Sequence, residues 1–184
     1  MYMEFEAQWW GNCCNTYGEE SKQMVYANRM GLKFENDHIN VKGKKILDIG
    51  GGPVSLLLKT WDLGAGKVVD PSRYPEWTLQ RYKCKGIDVD IANAESITDI
   101  EQWDEIWIYN VLQHVQDPKL IIENARRAGK LIRIFEWIDI APHEGHPHEL
   151  KQDLLEEWLG LKGTVEYINE SGCTGSCFYG VFKC

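Results

Sequence analysis

Residues 45–55, Lys-Ile-Leu-Asp-Ile-Gly-Gly-Gly-Pro-Val-Ser, set an apolar run directly before three glycines and a helix-like Leu56-Leu57-Leu58 directly after them. The run reads as a buried strand. Without a Cβ, the backbone at Gly50, Gly51 and Gly52 turns sharply at the end of that strand and lets a bound molecule approach closely. The N–H groups that open the following helix then face that molecule. An ordinary tight turn is the competing reading of the glycines taken alone.

The rest of the chain alternates in the same way. Lys45–Ile49 is followed by a helical stretch over 53–62, Lys67–Val69 by another over 74–82, and Ile87–Val89 and Glu105–Tyr109 read as further strands. Asp117-Pro118 opens a helix with an acidic N-cap and a proline in the first turn, and Gly129 closes it. Lys130–Trp137 is the next strand and Glu149–Leu159 a helix; 164–168 and 178–183 are two last strands joined through the turn Gly172–Gly175 as a hairpin. Strands separated by helices imply right-handed crossovers and an α/β fold, with a mostly parallel sheet covered on both faces. Such sheets bind ligands beyond the carboxyl ends of their strands, at the switch point, which is where the glycines lie.

Residues 1–43 read as a helical lead-in or lid ahead of a domain over 44–184, the whole forming one compact unit of 184 residues. Within the lead-in, Glu19–Met30 has helical spacing, with Met24, Ala27 and Met30 on a buried face and Glu19 and Glu20 on a wet one. No internal repeat, low-complexity segment or interdomain linker interrupts the chain.

The formal net charge is −8 and no basic run appears, which argues against a broad nucleic-acid surface; Arg126, Arg127, Lys130 and Arg133 form only a local cluster. No apolar run approaches the roughly 20 residues needed to cross a bilayer. The start, with Glu4 and Glu6 and no basic segment, does not read as a signal peptide. These features point to a cytoplasmic protein away from membranes, and its six cysteines to thiols rather than a disulfide framework. Cys173 and Cys177 flank a glycine-rich turn, and a structural turn is favoured there over a metal site.

The ligand can be narrowed. A dinucleotide fingerprint needs a third glycine where this chain has Ser55, and no Gly-Lys-Ser/Thr follows to make a phosphate loop. Asp70 ends the next strand, where a carboxylate can accept from both hydroxyls of a ribose; the alternative is a helix N-cap before Pro71. Adenosine without a diphosphate fits better than a dinucleotide.

Ile46-Leu47-Asp48-Ile49-Gly50-Gly51-Gly52-Pro53 resembles motif I of the class I S-adenosylmethionine-dependent methyltransferases. Asp70 is similar to the acidic residue ending that family's second strand, Asn93-Ala94-Glu95 to its adenine loop, and residues 110–118 to the segment after the fourth strand in its small-molecule branch. The resemblance implies a Rossmann-like, seven-stranded sheet with helices on both faces, in which a C-terminal hairpin sets one antiparallel strand between parallel neighbours. It implies S-adenosyl-L-methionine as cofactor. Gly50, Gly51 and Gly52 would run beside its methionine and ribose, Asp48 near its amino group through water, Asp70 with Pro71 at the ribose, Asn93 and Ala94 on adenine, and Asn110 at the ammonium. The chain departs from the family at Val54, where another glycine is frequent, and at Asn93, where Asp is usual.

Methyl transfer asks chiefly for alignment and exclusion of water, with a base only if the acceptor must lose a proton. His114, after the fourth strand, is the candidate base, against a packing or capping role beneath the next helix. Acceptor contacts are expected from the loops at the carboxyl edge: Trp10 and Tyr17 in the lead-in, whose aromatic faces suit a lid, and Trp137 and His148 after the fifth strand. His143, His146 and His148 are spaced as His-x2-His-x-His, but structural or substrate-contact roles are preferred to metal binding. Trp61, Trp77, Trp103, Trp107 and Trp158 read as core or partly buried anchors. The expected activity is methyl transfer to O, N, S or C of a small molecule, with protein as the second class of acceptor. The rival readings are a non-catalytic cofactor-binding regulatory or scaffold subunit and an NAD-dependent oxidoreductase.

Overall fold

A computed structural model of the chain describes residues 13–184. Helix α1 (Cys13–Arg29) leads into short strands β1 (Phe34–Glu35) and β2 (His38–Asn40), then β3 (Lys45–Ile49), β4 (Thr60–Trp61) and β5 (Ala65–Val69). Helix α2 (Glu76–Cys84) precedes β6 (Ile87–Asp90), β7 (Glu105–Tyr109), helix α3 (Pro118–Ala128) and β8 (Leu131–Trp137). Helix α4 (Gln152–Leu159) and the hairpin of β9 (Thr164–Glu170) and β10 (Cys173–Lys183) complete the described chain.

Among the described residues the main sheet has seven strands in the order β6-β5-β3-β7-β8-β10-β9. Neighbours from β6 to β8 pair in parallel, whereas β10 pairs antiparallel with both β8 and β9, so it alone runs against the rest. The period-two rule for strands sorts the side chains onto two cores. Leu47, Ile49, Ile106, Ile108, Ile132 and Ile134 face α3 and α4 through Ile121, Ile122, Ala125, Leu155 and Leu159. Ile46, Val68, Trp107, Tyr109 and Phe135 face α1 and α2 through Val25, Tyr26, Met30 and Tyr82. Both faces of the sheet are therefore covered, as near-continuous apolar strands require.

Local signals account for several boundaries. The Asp117 carboxylate accepts from the Leu120 N–H at 3.0 Å, with Pro118 in the first turn of α3. At Gly129 a Cβ would stand 2.5 Å from Ile106, so α3 must end on glycine to reach the sheet.

Other expectations are corrected. Residues 53–62 form no α-helix; two 3-10 turns, Gly52–Val54 and Leu56–Lys59, are followed by β4. Ser55 separates them with extended backbone, and β4 is drawn into a small sheet beside β2, so the crossover stays short. That small sheet also adds strands to the helical lead-in. On α1 the buried stripe is Glu19, Gln23, Tyr26, Ala27 and Met30, while Met24 is only half-buried, so Glu19 belongs to the buried face rather than the wet one. Trp61 and Trp77 are 53% and 50% exposed and do not anchor the core, in contrast to fully buried Trp107. Cys173 and Cys177 are buried along β10 itself, and Gly175 lies within that strand rather than in the turn. Cys84, Cys173, Cys177 and Cys184 are thiols. No helix among the described residues is long and apolar enough to cross a membrane.

Candidate functional site

Chain order reverses between β3 and β7, and a crevice opens beyond the carboxyl ends of the strands around that point. Its open volume of about 890 Å³ is bounded by Gly50 after β3, Asp70, Pro71 and Tyr74 after β5, Asn93, Ala94 and Glu95 after β6, and Asn110, Val111 and His114 after β7.

The glycine bend is shaped by protein contacts. Gly50 has φ +71°, and a Cβ there would meet a Val111 methyl at 2.5 Å; at Gly51 it would meet an Asp48 carboxylate oxygen at 2.7 Å. The bend thus closes down on the loop after β7 and on Asp48. Gly50 lines the crevice; Gly51, Gly52 and Asp48 do not. Asp48 is fully buried, accepting from the Tyr109 hydroxyl at 2.6 Å and from the Ser55 hydroxyl, and burial pushes its carboxyl up to about 7.

The donors of the bend are largely consumed by the protein. Gly50 N–H donates to the Val69 carbonyl at 2.8 Å, Gly52 N–H to Asp70 Oδ2 at 3.1 Å, Ser55 N–H to the Tyr82 hydroxyl at 3.0 Å and Leu56 N–H to the Tyr109 hydroxyl at 3.0 Å. Tyr82 in turn donates to the Gly52 carbonyl at 2.5 Å. The expected row of helix N–H groups facing a ligand is therefore absent: no α-helix starts there, and two tyrosines from below take up the donors of the turn. A diphosphate would find no such cradle.

Asp70 remains on the lining. Its Oδ1 accepts from Ser72 N–H at 2.9 Å and from the Tyr74 hydroxyl at 3.2 Å, so it organises its own loop instead of capping α2, whose N-cap is Pro75. Burial raises its pKa, and the hydrogen bonds from Ser72, Gly52 and Tyr74 oppose that rise. Two carboxylate oxygens offer about four acceptor sites, which leaves capacity for a ligand hydroxyl.

Across the crevice, residues 94–96 form a 3-10 turn held by α3: Asn124 Nδ2 donates to the Glu95 carbonyl at 2.9 Å and to the Ala94 carbonyl at 3.4 Å. Glu95 Oε1 accepts from Gln116 N–H and Asp117 N–H at 3.0 and 3.2 Å, tying this turn to the loop after β7. Asn110 opens that loop in the left-handed region, φ +57°, with its N–H on the Phe135 carbonyl and its Oδ1 accepting from Gln113. Asn tolerates this conformation better than most residues.

Beneath Asn110 lies a carboxylate that sequence reasoning missed. Glu136, fully buried in β8, accepts from Val111 N–H at 3.0 and 3.1 Å and from Leu112 N–H at 3.1 Å, and burial pushes it up to about 7. One acid inside the apolar run Leu131–Trp137 was its sequence signal, since such residues are seldom buried without partners.

His114 lines the crevice and donates from Nδ1 to the Gly145 carbonyl at 2.7 Å, a tautomer in which Nε2 accepts from Gln113 Nε2 at 3.4 Å. The segment from His143 to His148 folds against it. Backbone bonds of 2.9 and 3.0 Å pair His143 with His146, whose ring meets His114 edge-on at 4.5 Å and stacks obliquely on His143 at 4.2 Å. His148 Nε2 donates to the Val115 carbonyl at 2.8 Å. Among the described residues no three His, Cys, Asp or Glu side chains converge as metal ligands.

The expected acceptor residues are not brought together on this lining. Trp137 packs against Tyr26 and Phe135 on the α1 side of the sheet, His148 is docked on the loop after β7, and Tyr17 is 75% exposed on α1. Trp10 lies outside the described residues.

No family model and no curated protein sequence matches the chain. Solved structures do. The N-methyltransferase NodS from Bradyrhizobium japonicum, in complex with S-adenosylhomocysteine, superposes with a TM-score of 0.69 at 12% identity, over 99% of this chain and 97% of that one. The 1,6-didemethyltoxoflavin-N1-methyltransferase of Burkholderia thailandensis gives 0.67 at 12% identity over 98% and 85%. Magnesium protoporphyrin IX methyltransferase from Synechocystis gives 0.64 at 11% over 94% and 88%. The chain has the Rossmann-like fold that these methyltransferases share.

Proposed function

We propose that this chain is an S-adenosylmethionine-dependent methyltransferase whose acceptor is a small molecule. One observation carries the reading: the crevice at the switch point presents the Asp70 carboxylate and the turn Asn93–Ala94, while the donors of the glycine bend are largely used within the protein. That chemistry suits a nucleoside without a diphosphate, and it disfavours NAD. The fold shared with methyltransferases solved with S-adenosylhomocysteine supports the same ligand.

In this reading Asp70 accepts from a ribose hydroxyl, with Pro71 shaping the wall beside it, and Asn93 and Ala94 meet the adenine edge. Gly50 and the Asn110 backbone border the methionine portion, and Asp48 acts from beneath by fixing the bend through Ser55 and Tyr109. When bound, the cofactor supplies a methyl carbon on a sulfonium, already activated for in-line displacement. The chain supplies alignment, exclusion of water and a place for the acceptor's proton. His114, with Nδ1 held by Gly145, acts as the base through Nε2, which exchanges its long contact with the Gln113 amide for the acceptor's proton.

Calorimetry with S-adenosylmethionine, S-adenosylhomocysteine and NAD tests the ligand: the first two bind and NAD does not. Transfer of a radiolabelled methyl group into a cell extract, fractionated into metabolites, RNA and protein, tests the reaction, and label is expected in the metabolites. Binding without transfer into any fraction would make the chain a cofactor-binding subunit instead. His114→Ala should lower turnover at least tenfold while S-adenosylhomocysteine affinity stays within about twofold. Equal turnover removes His114 from the chemistry.

A further inference from the structure

We infer that Gln113 is a positioning residue for methyl transfer: its side-chain amide, held in one orientation by Asn110, keeps the His114 ring with Nε2 unprotonated and ready to take the acceptor's proton. This rests on the methyltransferase reading and on His114 as its base. The loop after β7 brings the three residues together. It is fastened from beneath, where the Glu136 carboxylate accepts from Val111 N–H and Leu112 N–H, and within itself, where His114 N–H donates to the Val111 carbonyl at 2.9 Å. The 3-10 turn Leu112–His114 follows. Asn110 and His114 both line the crevice, whereas Gln113 lies off the lining and is only 2% exposed. Gln113 therefore acts through its two neighbours and not on a ligand.

The amide bridges those neighbours. Its Nε2 donates to Asn110 Oδ1 at 2.7 Å and, over a longer 3.4 Å, to His114 Nε2. Its Oε1 is buried with no hydrogen-bond partner. An orphaned buried acceptor costs stability and calls for a reason. The reason lies in the two contacts of Nε2: turned over, the amide would set Oε1 against Asn110 Oδ1, acceptor against acceptor. On the far side of the ring, Nδ1 donates to the Gly145 carbonyl at 2.7 Å. The imidazole thus meets an acceptor at Nδ1 and a donor at Nε2, which is the pattern of a single neutral tautomer. A hydrogen bond made to the neutral form disfavours the charged one. Because Asn110 borders the methionine portion of the cofactor in the proposed reading, the same amide ties the state of the base to the cofactor side of the crevice. The other titratable groups about the ring are His146, edge-on at 4.5 Å, with His143 stacked on it, and Glu136 within electrostatic reach. His148 is turned to the Val115 carbonyl, and Asp70, Tyr74 and Glu95 share the lining, on which no described Lys or Arg lies.

Nitrogen-15 NMR of the full chain, labelled at histidine and glutamine, follows both partners through the titration of His114 without any acceptor. In the parent the Gln113 side-chain amide should shift with the same midpoint as the His114 ring; an amide that stays still across that titration overturns the inference, and this reading needs no variant. Gln113→Glu puts a carboxylate of the same shape beside Nε2, so the His114 midpoint should rise by about one pH unit or more. Transfer of labelled methyl into the metabolite fraction by that variant should fall about tenfold near neutral pH and recover as pH is raised, with S-adenosylhomocysteine affinity within about threefold. A merely structural role would lower the melting temperature and leave the midpoint and the pH profile where they are, which overturns the inference. Failure of the parent to bind S-adenosylhomocysteine overturns instead the methyltransferase reading beneath it.

Discussion

Gly50 and Asp70 show how much a single residue decides at this site. Gly50 combines φ +71° with a Cβ position 2.5 Å from Val111, so alanine meets both a left-handed backbone and an occupied space. The backbone term alone is roughly 1–2 kcal/mol and overpacking adds about 1–3 kcal/mol. Gly50→Ala should therefore lower stability by about 2–5 kcal/mol in urea unfolding and abolish cofactor binding, because the bend is pushed off the loop after β7; a variant as stable as the parent would show that the loops separate freely. Asp70→Ala should weaken S-adenosylhomocysteine binding by about 1–3 kcal/mol in calorimetry, and unchanged affinity would remove the ribose contact. Both residues were legible in the sequence because their cause is local: a strand end, a bend, the end of the next strand. Gly51, Gly52 and Asp48 lie off the crevice lining, and Asp48 holds the bend from below through Ser55 and Tyr109. The tyrosines that satisfy the bend, Tyr82 and Tyr109, come from elements far along the chain, and no local pattern announces them.

Elements place the loops that residues then use. The adenine-side turn at 94–96 owes its position to α3, through Asn124, and to the loop after β7, through the Glu95 carboxylate. Asn124 touches no ligand in the proposed reading. Asn124→Ala should nevertheless weaken S-adenosylhomocysteine binding several-fold with helical circular dichroism unchanged; full affinity would mean that the turn holds itself. The alternation of strands and helices was readable because apolar periodicity is a short-range property, and the seven-stranded sheet with its antiparallel hairpin strand between parallel neighbours followed from the family resemblance. The segment 53–62 was not readable as it folds. Leu56 and Leu57 are fully buried, which the apolar run foretold, but Ser55 breaks the helix and pairing of Ile39 with Thr60 draws out a strand. That pairing is a tertiary demand, and it overrides a local helical preference. Likewise the polar half of the α1 stripe resembled a wet face because only the fold reveals what covers it.

On the scale of the whole molecule, three buried carboxylates give stability a definite dependence on pH. Glu105, which accepts from Arg133, Lys44 and Trp107, is held down to about 2 by those partners against the opposing effect of burial. Its contribution is present above its unfolded pKa of about 4.3 and is lost as pH falls toward 2. Asp48 and Glu136 act with the opposite sign. Each is fully buried and pushed up to about 7, so from about pH 4 to 7 the native state holds a proton that the unfolded chain has released. Raising pH through that window costs stability, on the order of 4 kcal/mol for each group. Thermal and urea unfolding from pH 4.5 to 8 should therefore show stability declining toward neutrality and levelling above it. Asp48→Asn and Glu136→Gln should each flatten the decline, and the double variant should remove most of it. Both carboxylates lie beneath loops that border the crevice, Asp48 under the glycine bend and Glu136 under Asn110, so their ionisation strains the walls of the site as the protein approaches neutral pH. Bound S-adenosylhomocysteine, by holding those walls, should shrink the slope in the parent and have little effect on the slope of the double variant. A parent whose stability rises steadily from pH 5 to 7 would show that both carboxylates are ionised throughout, their Ser55, Tyr109, Val111 and Leu112 donors outweighing burial.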